Sequence, residues 1–255
     1  MCTVLFIPVN GSYYFASLRD ENPERPTARP PQCYSAAGYR YIAPADPLAG
    51  GTWTGINSYG NVLILLNGGF ENHQRADTYR KSRGLIVAEL LKSVFPVVEW
   101  SMMDMEGIEP FTLIAWSENN LYELTWDGTS KHRRALDHQH PYIWSSSTLY
   151  AAPVKEKRQS LFDHWISSQP LINQQTVLSF FRSYTEEDNG FIMHRSPELK
   201  TLSYSFIELR PPDRGTFYYD DFSNSTPVTE LLLTTGYKAD LNPLFRTQAN
   251  GLYKN

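Results

Sequence analysis

The order of strand-like and helical segments constrains the fold of this chain most. Short runs rich in β-branched and aromatic residues come first, followed by a helical segment, further strands, two helical segments and a last group of strands. This is not the alternating βαβ order that a parallel sheet requires. Two antiparallel sheets covered by helices fit the order better. We therefore predict an α+β sandwich in which residues 1–255 form one domain.

The chain opens with a predicted β-hairpin. Apolar runs at residues 2–9 and 12–18 flank the pair Asn10-Gly11, and Asn-Gly between two such runs is the strongest short-range hairpin signal. Because the arms are of similar length, the returning arm should bring residues 19–21 close to residue 2. A second hairpin is predicted over residues 52–66, with its turn at residues 58–60.

The other elements are assigned from periodicity and turn residues. The proline-rich residues 22–51 are typical of a long loop, which we expect to line or cover a pocket with Cys2 and Asn67 in its floor. Helices are predicted for residues 75–93, 154–166 and 173–184. Strands are predicted for residues 111–116, 121–126, 132–136, 142–147, 201–209, 216–219 and 229–234.

Composition excludes several classes of protein. The chain of 255 residues is 41% hydrophobic and 20% charged, which is typical of a globular domain. A net charge of −4 without a basic face argues against a nucleic-acid partner. No apolar run approaches the ~18 residues of a membrane span. The two cysteines, Cys2 and Cys33, do not form a disulfide framework, and no secretory signal is recognisable, so we predict a cytoplasmic protein.

The first two residues, Met1-Cys2, suggest a specific chemistry. Initiator methionine is usually removed when the next side chain is small, and removal would leave Cys2 with a free α-amine beside its thiol. Their ordinary pKa values, about 8 for the amine and 8.5 for the thiol, lie near the pH at which a general base works best. N-terminal-nucleophile catalysis uses this pair. The alternative is that Cys2 is a small buried residue that opens a strand.

Several short motifs, in order, carry a family resemblance. They are Met1-Cys2, Arg-Asp-Glu at residues 19–21 with Arg25-Pro26 after it, Gly-Gly-Thr-Trp-Thr-Gly-Ile-Asn at 50–57, Gly60, Asn67, Ser-Arg-Gly at 82–84 and His-Arg-Ser at 194–196. Together they resemble the NRDE-motif family, also called the transport and Golgi organisation 2 family. Two positions depart from its pattern. Leu18 stands where that family has the Asn of its tetrapeptide, and serines fill residues 145–147 where a Ser-Asn is usual.

The resemblance implies a fold and a site. The family is similar to N-terminal-nucleophile (Ntn) hydrolases, so a four-layer α-β-β-α sandwich of two antiparallel sheets is implied. By the same resemblance, Arg19 and Asp20 flank Cys2, and Asn67 with Gly68 resembles the Asn-Gly oxyanion site of class II glutamine amidotransferases. Arg195 lies in the later Arg-Ser element and is a candidate anchor for a carboxylate or phosphate.

Each role has a structural alternative. Arg19 would stabilise the Cys2 thiolate, or it forms a surface ion pair with Asp20 or Glu21. Asp20 would hold the α-amine by a charge-assisted hydrogen bond, or it caps a strand end. Asn67 and the Gly68 N–H would bind an oxyanion, or they only form a turn. Arg195 is either a ligand anchor or a solvated loop arginine.

The run Asp-His-Gln-His at residues 137–140 has no further ligand at a recognisable spacing, so we interpret it as a polar turn and predict neither a metal nor a cofactor.

Two functions follow from these residues. The first is an N-terminal-cysteine amide hydrolase or acyltransferase, in which Cys2 attacks a small acyl-amide, the α-amine takes the proton, and Asn67 with Gly68 holds the oxyanion. The second is a non-catalytic protein on the same scaffold that handles haem, acyl-coenzyme A or lipid, as the resemblance to eukaryotic relatives implies. Retention of Met1 in the cell would remove the α-amine mechanism.

Overall fold

The computed structural model describes residues 3–36, 38–184, 189–195, 199–212, 214–222 and 229–234. Its strands are β1 (Thr3–Val9), β2 (Ser12–Glu21), β3 (Arg29–Ala36), β4 (Tyr39–Ala45), β5 (Thr54–Asn57), β6 (Val62–Asn67), β7 (Phe111–Ser117), β8 (Asn120–Trp126), β9 (Lys131–Leu136), β10 (Tyr142–Ser145), β11 (His194–Arg195), β12 (Leu199–Arg210), β13 (Arg214–Asp221) and β14 (Thr229–Thr234). Its helices are α1 (Arg83–Leu90), α2 (Pro96–Met102), α3 (Ala152–Ser168) and α4 (Gln174–Ser183).

The strands form two antiparallel sheets. In the first, the order is β10-β1-β2-β12-β13-β14, with the short β11 also paired to β12. The second runs in chain order from β3 to β9. The central strands of each sheet are buried on both faces, because one face packs against the other sheet and the other face against helices, whereas β3 and β9 at the edges of the second sheet are largely exposed. The predicted α-β-β-α sandwich is therefore confirmed.

Two apolar layers hold the sandwich together. Helices α3 and α4 cover the first sheet with aromatic side chains such as Phe162 and Phe181, which meet Leu5 and Tyr204 of the strands. The second cluster fills the space between the sheets and continues to α1 and α2, and Trp116 lies within it. The Trp116 ring is 4.1 Å from that of Tyr13 in the opposite sheet, centroid to centroid.

The first hairpin is confirmed and has a two-residue turn. Asn10 and Gly11 both have positive φ, 48° and 82°, as the turn type that matches the twist of two-residue hairpins requires. Thr3 pairs with Leu18. Since β2 continues to Glu21, its last three residues run past the last described pair of the hairpin.

The prediction of a loop over residues 22–51 is wrong, because β3 and β4 lie within it. A loop was predicted here because Pro30 and Pro31 are unusual in a strand. The structure accommodates them at the edge of the second sheet, where the register of β3 against β4 shifts between Arg29 and Gln32. Proline is tolerated at sheet edges and bulges because no ladder hydrogen bond is lost there.

The predicted helix over residues 75–93 is much shorter in the structure. It begins only at Arg83, because Ser82 is extended, with φ −71° and ψ 142°. Helix α2 was not predicted; it has seven residues and begins with Pro96, and proline is favoured at the first helical position. The second hairpin, α3, α4 and the remaining predicted strands are confirmed, with ends shifted by a few residues.

Candidate functional site

The end of β2 places Arg19 and Asp20 on opposite faces of the first sheet. Arg19 pairs with Ser203 and Asp20 with Thr201, and a β-bulge in β12 separates these partners. Successive strand residues point to opposite faces, and bulges commonly re-aim side chains beside functional sites. Both side chains are buried, with residue exposures of 4% and 3%. Two charged residues are thus held inside the protein at a strand end.

Arg19 lies in a buried charge network between the sheets. Its Nη2 is 3.1 Å from Oδ2 of Asp46, which also accepts a hydrogen bond of 2.7 Å from Nε of Arg25. The Arg19 guanidinium lies over the ring of Trp53, 4.5 Å from its centroid. The alternative of an ion pair is met in part, because Arg19 Nη2 lies 3.9 Å from Glu21 Oε2; its shorter contact is with Asp46, and the pair is not on the surface, because Arg19 is buried.

Asp46 follows β4 and organises the turn that comes after it. Its Oδ1 accepts the backbone N–H groups of Leu48 and Ala49 at 3.0 Å. Burial by itself raises the pKa of Asp46, but the hydrogen bonds from Arg25 and the Ala49 N–H, with the charges of both arginines, outweigh burial and hold the pKa below its ordinary value. Asp46 therefore stays ionised and keeps Arg19 in position.

Asp20 is fixed on the other face by two hydroxyl groups. Thr201 Oγ1 donates to its Oδ1 at 2.5 Å, and the Tyr150 hydroxyl donates to its Oδ2 at 3.3 Å. Hydrogen bonds to the charged form stabilise a carboxylate. The same Thr201 oxygen accepts the backbone N–H of Met193 at 2.8 Å. Asp20 is thus more than a strand cap, because it joins β2 to β12 and to the segment before α3.

Asn67 ends β6 and lies where two cavities meet. Its side-chain amide makes no hydrogen bond to the described part of the chain, and the residue is partly exposed. Its backbone carbonyl accepts a hydrogen bond of 2.8 Å from Ser146 Oγ. Ser146 is one of the serines at residues 145–147, where the resemblance noted in the sequence expects a Ser-Asn, and this stretch of serines therefore lies beside Asn67.

Gly68 has a structural reason to be glycine. Its φ is 82°, and a Cβ there would lie 2.2 Å from Ser147 Oγ. The Gly68 N–H donates to the Pro110 carbonyl at 3.1 Å. In this conformation the Gly68 N–H is therefore not available as the second oxyanion donor that we expected. The Asn67 side-chain amide is then the remaining donor of the predicted pair.

A cleft of about 440 Å³ connects Arg19 with Asn67. Residues 22–51 contribute Arg25, Asp46, Ala49 and Gly51 to its walls, so the expectation that this stretch lines a pocket with Asn67 is confirmed, although much of the stretch is strand. The part of that expectation that concerns Cys2 lies outside the described residues. On the far side, Arg83 pairs with Glu109 at 3.1 Å. Burial lowers the pKa of Arg83, and the charge of Glu109 opposes that shift. The cleft is polar and mixed in charge.

Two of the sequence motifs meet at the edge of this cleft. The backbone of Gly51 passes so close to that of Gly84 that a Cβ on Gly51 would lie 2.2 Å from the Gly84 carbonyl carbon. The Thr52 N–H donates to the Gly84 carbonyl at 3.0 Å. The Gly-Gly-Thr-Trp and Ser-Arg-Gly motifs therefore form one structural joint between β5 and α1, and that joint places Trp53 beneath Arg19.

The other two predicted site residues, Cys2 and Arg195, are not among the described residues of the cleft. Cys2, with Met1, lies outside the described residues, so its predicted distance of about 4–6 Å to Arg19 or Asp20 stays a prediction. Arg195 is partly buried; its Nη2 is 3.4 Å from Asn189 Oδ1, and its guanidinium is 6.0 Å from the Tyr150 ring. It is not among the described residues that line the cleft with Arg19 and Asn67.

The His-x-His run forms an exposed turn, in which His140 Nδ1 contacts Asp137 at 2.8 Å. Within the described ranges, no group of three or more His, Cys, Asp or Glu side chains is arranged to hold a metal. No helix in the described part of the chain is long and apolar enough to cross a membrane.

Asp46, Trp53, Tyr150 and Thr201 were missed as site residues. Only Trp53 had a signal, because it belongs to a motif that was recognised. The others reach the site through contacts that span from 27 to 181 positions of sequence, and a single sequence carries no local mark of such contacts.

The fold matches solved structures of Ntn hydrolases. A mutant of conjugated bile acid hydrolase from Clostridium perfringens superposes with a TM-score of 0.62 at 9% identity, covering 93% of this chain and 97% of that one. The N-acylethanolamine-hydrolyzing acid amidase ortholog of Caenorhabditis elegans gives 0.57 at 10% identity, with coverages of 81% and 92%. Penicillin V acylase from Agrobacterium tumefaciens gives 0.55 at 12% identity, with coverages of 91% and 86%. At these identities the likeness establishes the fold alone.

The comparison with curated protein sequences gave no match. The family comparison did: the profile of Transport and Golgi organisation 2 matches residues 1–217, more than four-fifths of the chain. The NRDE motifs recognised in the sequence lie within that range, and the observed sandwich is the fold that the resemblance implied. The chain therefore belongs to the Transport and Golgi organisation 2 family.

Proposed function

We propose that this protein is an N-terminal-cysteine amide hydrolase or acyltransferase that acts on small acyl-amides. Removal of Met1 exposes the Cys2 α-amine, which takes the thiol proton as the sulfur attacks the carbonyl carbon. The Asn67 amide donates to the oxyanion, the amine leaves with a proton from the α-ammonium, and water or a second amine resolves the thioester. The scaffold resembles hydrolases and acylases of amides, and this supports the class of reaction.

The observation that carries the proposal is the burial of Arg19 at the strand end nearest to residue 2, in the same cleft as Asn67. Thr3, the covalent neighbour of Cys2, pairs with Leu18, the neighbour of Arg19. Val4 and Phe6 lie on the face between the sheets; continuing their alternation by two residues would put the Cys2 thiol on the Arg19 face, and this is part of the proposal. A buried guanidinium there would favour the thiolate.

The second candidate is a carrier that binds haem, acyl-coenzyme A or lipid in the same cleft without chemistry. One observation favours it: Ser146, one of the serines at residues 145–147 that stand where the resemblance expects a Ser-Asn, uses its hydroxyl to hold the Asn67 carbonyl. With the Gly68 N–H also engaged, the oxyanion would have one protein donor in this conformation. The two candidates therefore differ in whether Cys2 is needed.

The test uses protein whose first residue is Cys2, as confirmed by intact mass. N-acyl aminomethylcoumarins with acyl chains of graded length report amide cleavage directly. We expect turnover to fall at least about 100-fold in Cys2→Ser and in a form with one glycine placed before Cys2, which keeps the thiol but displaces the amine. Equal coumarin release by all three forms would contradict the proposal. Absence of turnover, with haem or acyl-coenzyme A bound equally by Cys2→Ser, would favour the carrier.

A further inference from the structure

Arg158 is a buried charge for which the proposed mechanism has no use. It lies in α3 and is 0% exposed, and its hydrogen bonds to the described part of the chain all go to neutral oxygens. Within the described residues it forms no ion pair with a carboxylate. A buried cation normally requires a paired anion, because desolvation of an unpaired charge is costly. Its position therefore needs an explanation beyond packing.

The contacts of Arg158 lead to residue 3 from one side. Its Nη1 donates to Thr3 Oγ1 at 2.9 Å and approaches Ser145 Oγ at 3.4 Å. Thr3 and Ser145 are paired residues of β1 and β10. Its Nη2 binds the carbonyls of Asn189 and Gly190 at 3.1 and 2.6 Å. The guanidinium thus fixes the start of β1 against the segment that leads to β11.

From the other side, Arg158 leads to Asp20. Its guanidinium carbon lies 3.7 Å from the centroid of the Tyr150 ring, a close cation–π stack. The hydroxyl of that same Tyr150 donates to Asp20 Oδ2 at 3.3 Å and to the Met193 sulfur at 3.2 Å. A cation over the ring withdraws charge from the phenol and makes its O–H a better donor to the carboxylate.

We propose that Arg158 is a positioning residue of the site: its stack on Tyr150 fixes the Asp20 carboxylate, its bond to Thr3 fixes the first strand, and its buried positive charge favours the thiolate at residue 2. The proposal rests on the proposed function, in which the Cys2 thiol would lie on the Arg19 face; Arg158 and Asp20 lie on the opposite face of the first sheet, beside Thr3, where Asp20 would hold the α-amine. A second positive group, Arg195, lies 6.0 Å from the centroid of the Tyr150 ring. Arg195 adds to the positive charge on this side of Asp20.

The test measures the rate of iodoacetamide alkylation of Cys2 against pH, in protein that begins at Cys2. Cys33 is exposed and serves as the internal control in every sample. We expect Arg158→Met to raise the midpoint of the Cys2 rate profile by about one pH unit, as loss of a nearby cation should. Arg158→Lys, which keeps the charge, should recover most of that shift. Tyr150→Phe should raise the midpoint by a smaller amount, because the Asp20 carboxylate loses one hydrogen bond and its less compensated negative charge disfavours a nearby thiolate.

Two outcomes would overturn the inference, and they are separable from failure of the proposed function. If wild-type Cys2 reacts no faster than Cys33, the thiol is not activated and both proposals fail. If wild-type Cys2 reacts faster but the midpoint is unchanged in folded Tyr150→Phe and Arg158→Met, Arg158 only braces the fold. Should Arg158→Met not fold, Tyr150→Phe decides. Arg133→Met removes an exposed charge from β9 and should leave the midpoint unchanged.

Discussion

Arg19 and Asp20 are neighbours in sequence but contact different parts of the molecule, because successive side chains of a strand point to opposite faces of the sheet. Arg19 belongs to the space between the sheets, where Asp46 and Trp53 hold it. Asp20 belongs to the opposite face, where Thr201 and Tyr150 hold it. Any chemistry at residue 2 would thus lie between a positive and a negative group, each fixed by its own set of contacts.

The first prediction concerns Asp46→Asn. It removes the anion that neutralises buried Arg19 and should lower the free energy of unfolding by about 3 kcal/mol. Because the folded-state pKa of Asp46 lies below its unfolded value, its contribution is complete above about pH 4 and is lost as the pH falls through the folded pKa. Urea unfolding at pH 7 and at pH 3 measures both effects.

In the wild type, the free energy of unfolding should therefore drop between these two pH values by more than it does in Asp46→Asn. An equal pH dependence in both proteins would show that protonation of Asp46 does not cause the loss of stability at low pH. Asp163→Asn, on the exposed face of α3, is the matched control and should change stability by only a few tenths of a kcal/mol.

The second prediction concerns Asn67→Ala. If the Asn67 amide donates to the oxyanion, kcat should fall about 100-fold or more while KM changes little, because the bond is strongest in the transition state. Asn120→Ala, an exposed position at the start of β8, is the control. Steady-state kinetics on the best coumarin amide provide the measurement. A change confined to KM would place Asn67 in substrate binding instead.

At the scale of elements, prediction succeeded where the signal was local. The Asn10-Gly11 hairpin, the second hairpin and the later helices follow from turn residues and short-range periodicity. Prediction failed where contacts between residues distant in sequence determine the secondary structure. Strand β3 carries Pro30 and Pro31 because it is an edge strand, and α1 is shortened at a joint with the segment before β5. Neither constraint is visible before the sheet and the joint are known.

The third prediction tests that joint. Gly51→Ala would put a Cβ about 2 Å from the backbone of Gly84. The atoms in its way are backbone atoms, which cannot rotate aside as the end of a flexible side chain could. We expect a loss of about 3 kcal/mol in the free energy of unfolding, the upper range for overpacking. Chemical denaturation followed by tryptophan fluorescence measures it. Ala49→Gly, in the preceding turn, controls for local backbone effects and should cost less than about 1 kcal/mol. Equal losses in the two variants would contradict close packing at Gly51.

At the scale of the whole molecule, the layers follow from the order of elements, but the neighbours within the first sheet do not. Strand β2 pairs with β12, about 180 positions further along, and β1 pairs with β10. No turn or period in the sequence marks these pairings. They are what brings Thr201, Ser145 and the residues before α3 to the start of β1, so the surroundings of Asp20 could not be derived from sequence alone.

The proposed function requires Cys2, with a free α-amine, to form a thioester in the cleft that holds Arg19 and Asn67. Acylation by p-nitrophenyl hexanoate, quenched in acid and read by intact mass and peptide mapping, tests it most directly. We expect one hexanoyl group per chain on Cys2, released by hydroxylamine, with Cys33 unmodified and acylation slowed at least about 100-fold by a glycine before Cys2. Acylation of Cys33 at the rate of Cys2, or equal rates with and without the added glycine, would show that Cys2 is not the N-terminal nucleophile.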